Sequence, residues 1–227
     1  YWHLLGKPSD MGINKITNFD NFKWTLTDNS FDTGLLKKLK DTHLIQLKNV
    51  RIKTVYKADI NNRNYFIKTY KIINLFFYLR YFFVDSKAKK EFLLLNQTKS
   101  KGIPVSEIMA YGEERFLGIF LINSAIIIKE NQNAIPMDAF LCKQKTPPGI
   151  EYSVKLRHNL TKKYGEFAKK VHDSGIYQDD FDPNNILIDF LNNNLILHFV
   201  NEDMIIANRH DADEVEKLLA FAKYGEQ

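Results

Sequence analysis

The stretch Asp180-Phe181-Asp182-Pro183-Asn184-Asn185-Ile186-Leu187-Ile188 decides how this chain is read. It is a loop of acids and amides that runs straight into an apolar strand. Ahead of it lies His172-Asp173-Ser174-Gly175-Ile176-Tyr177-Gln178-Asp179, which closes a long amphipathic segment. An Asp followed five residues later by an Asn, then by an apolar strand, suits phosphoryl transfer. The Asp orients an attacking hydroxyl and accepts its proton, and the Asn holds a metal through its side-chain oxygen. Asp180 and Asn185 stand at those positions. The same residues would also make a solvated turn whose Asp and Asn side chains cap local structure. The spacing alone leaves both readings open.

The pattern outward from the loop is mixed α and β. Upstream, Leu156, Leu160, Tyr164, Phe167 and Val171 form one stripe of a helix lying between Gly149 and Gly175. Downstream, Ile186–Phe190 and Leu195–Val200 read as two strands joined by the turn 191–194, and Ala212–Lys223 as a closing helix. Nearer the start, Phe19–Trp24 and Leu44–Ile60 are strand-like. Val50–Ile60 and Tyr65–Tyr70 make a hairpin with Asn61-Asn62-Arg63-Asn64 as its turn. Ser86–Ser100 reads as a helix capped by Ser86 and stopped by Gly102-Ile103-Pro104. Strand-like runs return at Ile108–Tyr111 and Phe116–Ile128. Strands followed by helices predict an α+β, two-lobed fold. The expected organisation is one domain over 1–227, with an N-lobe near 13–122 and a C-lobe near 126–227.

Composition narrows the chemistry. With 44% hydrophobic residues, ten Gly and six Pro, the chain is neither disordered nor collagen-like. Its one cysteine, Cys142, rules out a disulfide framework or a multi-Cys zinc site and points to a reducing compartment. The first twelve residues hold no long apolar run, so no secretory leader is expected, and Met11 is a candidate start. The net charge of +5 is concentrated: Arg63 to Lys101 carries nine Lys or Arg against Asp85 and Glu91. Such a field implies an anionic partner.

The aromatic-basic stretch Ile72–Lys90 contains the apolar run Ile72–Val84, too short to span a bilayer. It suits core packing, a membrane-surface element meeting anionic head groups through Arg80, Lys87, Lys89 and Lys90, or single-stranded nucleic acid. No nucleic-acid motif accompanies it, and none is expected as a partner.

The segment Asp180–Leu187 resembles the catalytic loop of the protein-kinase-like superfamily. Tyr65-Phe66-Ile67-Lys68 resembles its lysine-bearing strand, and Ser86-Lys87-Ala88-Lys89-Lys90-Glu91 its glutamate-bearing helix. Within the superfamily the chain is most similar to the lipopolysaccharide kinase family (Kdo/WaaP, InaA-like). Ser86–Glu91 leads into Lys101-Gly102-Ile103-Pro104-Val105, Tyr111-Gly112-Glu113 closes the next strand, and a glycine-rich phosphate loop is absent.

The resemblance implies Asp180 as catalytic base and Lys68 as anchor of the ATP α/β-phosphates, with Glu91 orienting it. It implies backbone groups of a hinge around Ile122 and Ser124 for adenine, and Asn185 and Asp203 for Mg²⁺. The implied reaction moves the ATP γ-phosphoryl group to a Kdo or heptose hydroxyl of a lipid-linked acceptor. The implied place is the cytoplasm, peripheral on the inner membrane. A catalytically dead binding module and another kinase of the same fold are the alternatives.

Some positions depart from the family pattern. Gln178 and Asp179 stand where His or Arg is usual. Asn201 and Glu202 rival Asp203 for the second metal position, and Ile205 replaces the glycine that normally ends that motif. The nucleotide-loop position, Leu47–Lys57, has no glycine. Residues 121–125 fit a buried strand end as well as a hinge.

Overall fold

The computed structural model describes residues 15–27, 33–72, 81–82, 84–143, 150–178, 183–190, 196–199 and 204–206. The chain divides into two compact units: Tyr1–Asn96 with Glu107–Glu130, and Gln97–Ser106 with Asn131–Gln227.

In the first unit seven strands form one antiparallel sheet. They are β1 (Lys15–Phe19), β2 (Phe22–Leu26), β3 (Ile45–Val50), β4 (Lys53–Ile60), β5 (Arg63–Lys71), β6 (Ile108–Phe116) and β7 (Phe120–Lys129). Their order is β1-β2-β6-β7-β5-β4-β3. Two readings of the sequence change here. The β4–β5 turn is two residues, not four: Asn61 and Asn62 both take positive φ, at 55° and 60°, and Arg63 already pairs with Ile60. Asn tolerates that region, and two such residues match the twist of a hairpin. The run Phe116–Ile128 is likewise no single strand. Leu117 and Gly118 take φ of 52° and 73°, and Ile119 N–H closes the turn on the Phe116 carbonyl at 3.1 Å. Apolar residues at this turn hide it from a hydropathy reading.

The sheet is covered on both faces. Helix α1 (Thr33–Asp41) buries Leu36 and Leu39 in a cluster with Trp24, Leu26, Ala58, Ile60, Tyr65, Met109 and Ile127. Gly112 belongs to the middle of β6, opposite Trp24 of β2, rather than to its end. A Cβ there would lie 2.7 Å from the Trp24 ring, so only glycine lets the indole cross the strand. Side chains alternate along β5. Tyr65 and Ile67 therefore pack toward α1, while Phe66, Lys68 and Tyr70 face the other way.

On that second face lies helix α2 (Lys87–Ser100), as expected from its sequence. The Ser86 hydroxyl accepts the Lys89 N–H at 3.2 Å and caps the first turn. Gly102, at φ 72°, ends it, and Ile103 N–H bonds back to the Thr98 carbonyl at 3.3 Å. Phe92 packs on Tyr111 with ring centroids 4.6 Å apart.

In the second unit, β8 (Ala134–Pro136), α3 (Met137–Leu141), α4 (Val154–Asp173), β9 (Ile176–Gln178), a 3-10 turn (Pro183–Asn185), β10 (Ile186–Asp189), β11 (Ile196–Phe199) and β12 (Met204–Ile206) follow in order. Ser153 caps α4 by accepting the Leu156 N–H at 3.1 Å, and Leu160, Phe167 and Val171 are its buried stripe. Gly175, at φ 67°, ends it. Lys101 Nζ donates to the Ser174 carbonyl at 2.5 Å and Lys170 Nζ to the Gly102 carbonyl at 2.7 Å. These bonds tie the 97–106 segment to the end of α4. Burial pushes the Lys101 ammonium's pKa down. Strand β10 pairs with β11 and β8, and β12 with β9. The closing helix expected at 212–223 lies outside the described residues.

Candidate active site

Strand β5 carries Lys68 and helix α2 carries Glu91, separated by 23 residues in sequence. Lys68 Nζ donates to Glu91 Oε1 at 2.5 Å, with the lysine side chain 10% and the glutamate side chain 0% exposed. Removing either partner from such a pair typically costs about 3–5 kcal/mol, because the other charge stays buried. The Ser86 cap sets the start of the helix and thereby the phase at which Glu91 meets the strand.

The second Glu91 oxygen is engaged as well. Tyr70 Oη donates to Glu91 Oε2 at 2.8 Å, and both residues are buried. The sequence reading passed over Tyr70. It sits two residues after Lys68, so strand alternation already puts both on one face. The Lys53 and Lys87 ammonium groups lie 5.6 and 6.0 Å from the centre of the Tyr70 ring. Opposite Tyr70, at the start of β4, the glycine-free nucleotide-loop position forms a tight hairpin turn at Arg51-Ile52. There Thr54 Oγ1 donates to Asn49 Oδ1 at 3.1 Å.

The expected hinge at residues 121–125 needs correction. Ile122 and Ser124 lie inside β7, not in a linker. Ser124 pairs with Tyr70 of β5 and Glu113 of β6, and the Ile122 carbonyl accepts the Ile72 N–H at 3.2 Å. At this point the chain is a strand of the sheet rather than a linker. The chain leaves the sheet only after Lys129. Next to that point Glu130 accepts Lys57 Nζ at 2.9 Å, and in the second unit Asn131 Nδ2 donates to Asp189 Oδ2 at 2.9 Å. Neither anchoring contact was foreseen.

In the second unit Asn185 ends the 3-10 turn that opens β10. Its amide oxygen is the hard donor type that Mg²⁺ takes. Asp180 and Asp203 lie outside the described residues, as do Asn201 and Glu202. The strands beside them are placed: Ile186 pairs with Phe199, and Gln178 with Met204. In sequence, 179–182 runs from the end of β9 to the 3-10 turn, and 200–203 from the end of β11 to the start of β12. Among the described residues no group of three or more His, Cys, Asp or Glu forms a metal-binding cluster.

Of the stretch Ile72–Lys90, residues 73–80 and 83 lie outside the described residues. Tyr81 is buried, Phe82 is exposed, and Lys89 is held by Asp85 at 2.6 Å. Partial desolvation disfavours the Lys89 charge, but the Asp85 hydrogen bond, together with electrostatic interaction with Asp85, Tyr111 and Glu113, raises its pKa overall. Among the described residues no helix is long and apolar enough to cross a membrane.

The sequence pattern of the Lipopolysaccharide kinase (Kdo/WaaP) family matches residues 43–199, more than half of the chain. Among solved structures, the chain is similar to WaaP in complex with acyl carrier protein. The TM-score is 0.54 at 14% identity, covering 79% of this chain and 68% of that one. The BubR1 kinase domain matches with a TM-score of 0.47 at 13% identity, covering 86% of this chain and 51% of that one. At such identity the likeness to WaaP shows the fold, which is kinase-like as the sequence led us to expect. No curated protein sequence matches the chain.

Proposed function

The chain belongs to the lipopolysaccharide kinase (Kdo/WaaP) family, and from that premise we propose that it moves the γ-phosphoryl group of ATP to a sugar hydroxyl of the lipopolysaccharide inner core. The observation that carries this reading is the buried Lys68–Glu91 ion pair. A lysine fixed in this way presents a positive charge at a set position, which is what anchoring a nucleotide's α/β-phosphates needs.

In the proposed reaction the acceptor hydroxyl oxygen forms a bond to the γ-phosphorus. The bond from that phosphorus to the β,γ-bridging oxygen breaks, and ADP leaves. Asp180 orients the hydroxyl and takes its proton. Asn185 and Asp203 would hold Mg²⁺, which would supply charge neutralisation at the phosphate oxygens. The β9–β12 pairing supports Asp203, since it lies one residue before Met204, the partner of Gln178.

A second reading of the metal position rests on the other pairing. Phe199 opposes Ile186 at the end of β11, and Asn201 follows Phe199 in sequence by two residues against four for Asp203. An amide there would bind the cation less strongly than a carboxylate, and transfer would be slow.

The acceptor is a Kdo or heptose residue on a lipid anchor. The exposed Phe82 beside a basic stretch supports docking at an anionic surface. The test uses γ-labelled ATP with two purified acceptors, one carrying Kdo alone on lipid A and one extended with heptose. Label in either sugar supports the reading, and the labelled sugar names the substrate. ATP binding without label in either acceptor would count against it.

A further inference from the structure

We propose that Tyr70 is a positioning residue for nucleotide binding, holding Glu91 in the rotamer that meets Lys68. This inference rests on the kinase reading of the site and goes beyond it, because the reading itself requires only the lysine and the glutamate.

Glu91 is the group that Tyr70 holds. Its carboxylate is buried, and a carboxylate with one oxygen bonded can still pivot about its last torsion. Here each oxygen has its own donor on β5: Lys68 Nζ on Oε1 at 2.5 Å and Tyr70 Oη on Oε2 at 2.8 Å. Both donors come from one strand face, two residues apart, so their separation is set by the rigid pleat rather than by flexible loops. The two bonds fix the plane of the carboxylate as well as its position. Glu91 then holds the lysine ammonium at one place before any nucleotide arrives.

The surroundings of the ring strengthen the donor. Two ammonium groups, of Lys53 and Lys87, lie within 6.0 Å of its centre. Positive charge near a phenol ring draws electron density from it and makes the O–H a better donor. Ser124, the register partner of Tyr70 on β7, is buried too, so the tyrosine is fixed between its neighbouring strands.

Pre-organisation of this kind acts on binding. An anchor already in place loses less conformational freedom when the phosphates arrive. Tyr70 touches no reacting atom in this account; it acts through Glu91.

The experiment measures Mg-ATP affinity directly by titration calorimetry, so that it needs no acceptor, and follows thermal stability in parallel. Variants are Tyr70→Phe, Glu91→Gln and the double variant. Tyr70→Phe keeps the ring and removes only the hydroxyl. Losing one hydrogen bond to a charged group should weaken ATP binding by about tenfold, raise KM for ATP in a transfer assay, and leave kcat nearly unchanged. In the Glu91→Gln background the same substitution should have little further effect, since it acts through the carboxylate. Equal ATP affinity of wild type and Tyr70→Phe would overturn the proposal, as would an undiminished effect in the Glu91→Gln background. So would unfolding of Tyr70→Phe, which would make the hydroxyl a structural group. If wild type binds no ATP, the nucleotide-site reading falls together with this one. If wild type binds ATP but transfers nothing, the kinase reading alone is in question.

Discussion

Lys68 Nζ stands 2.5 Å from Glu91 Oε1, joining the middle of a strand to the second turn of a helix across 23 residues of sequence. Both residues are buried, and each carries the charge opposite the other's. The two side chains therefore act as one unit, and their substitution should show it. Lys68→Met should weaken Mg-ATP binding strongly and Glu91→Gln less so. The double variant should be no worse than Lys68→Met. Strictly additive losses in a double-mutant cycle would mean that the contact does not act in binding.

Gly112 should be a stability position rather than a catalytic one. A Cβ on it would meet the Trp24 ring at 2.7 Å, between strands whose backbones are fixed by pairing. Gly112→Ala should destabilise the protein by about 1–3 kcal/mol through overpacking. Chemical denaturation measures this, with ATP affinity of the folded fraction unchanged. Combining it with Trp24→Ala should recover part of the loss. An unchanged denaturation midpoint for the single variant would show that the indole moves aside freely.

These elements show where the sequence was legible. The Lys68 strand, the Ser86 cap and the Gly102 stop were readable because each depends on local chemistry: alternation, a hydroxyl on a free N–H, and positive φ. The Lys68–Glu91 pairing followed from the family resemblance, and the geometry supplied its partner, Tyr70. Residues 121–125 were read as a hinge, with a buried strand end as the alternative, and they lie inside β7. The apolar turn at Leu117-Gly118 was missed, so the strand seemed to start earlier and finish earlier than β7 does. Helix α1 also went unread. Its amphipathic stripe is short, and what selects helix there is burial of Leu36 and Leu39 against the sheet, a tertiary effect.

The second metal position can be separated by two substitutions. Asp203→Ala should abolish magnesium-dependent transfer, while Asn201→Ala should retain most of it. Met204 supplies the apolar residue expected after the metal-binding Asp, whereas Glu202 after Asn201 would place a charge there. A loss with Asn201→Ala and none with Asp203→Ala would move the position two residues upstream. In that case Asn201→Asp should speed transfer.

Surface docking has its own signature. Each basic residue near an anionic membrane contributes about 1 kcal/mol, fading within a Debye length. The protein should sediment with anionic vesicles at low salt and be released at high salt. Replacing Arg80, Lys87, Lys89 and Lys90 together by Gln should abolish this sedimentation. Indifference of the wild type to anionic vesicles at low salt would remove this stretch as a docking element.

In the proposed reaction the loop 180–185 performs phosphoryl transfer with Asp180 as base. The direct measurement is the rate of label transfer from γ-labelled Mg-ATP to a lipopolysaccharide inner-core acceptor, wild type against Asp180→Asn, with ATP affinity measured on both. The expected result is equal affinity and a rate lower by a factor on the order of 10² or more in the variant. Transfer by Asp180→Asn at the wild-type rate would contradict it.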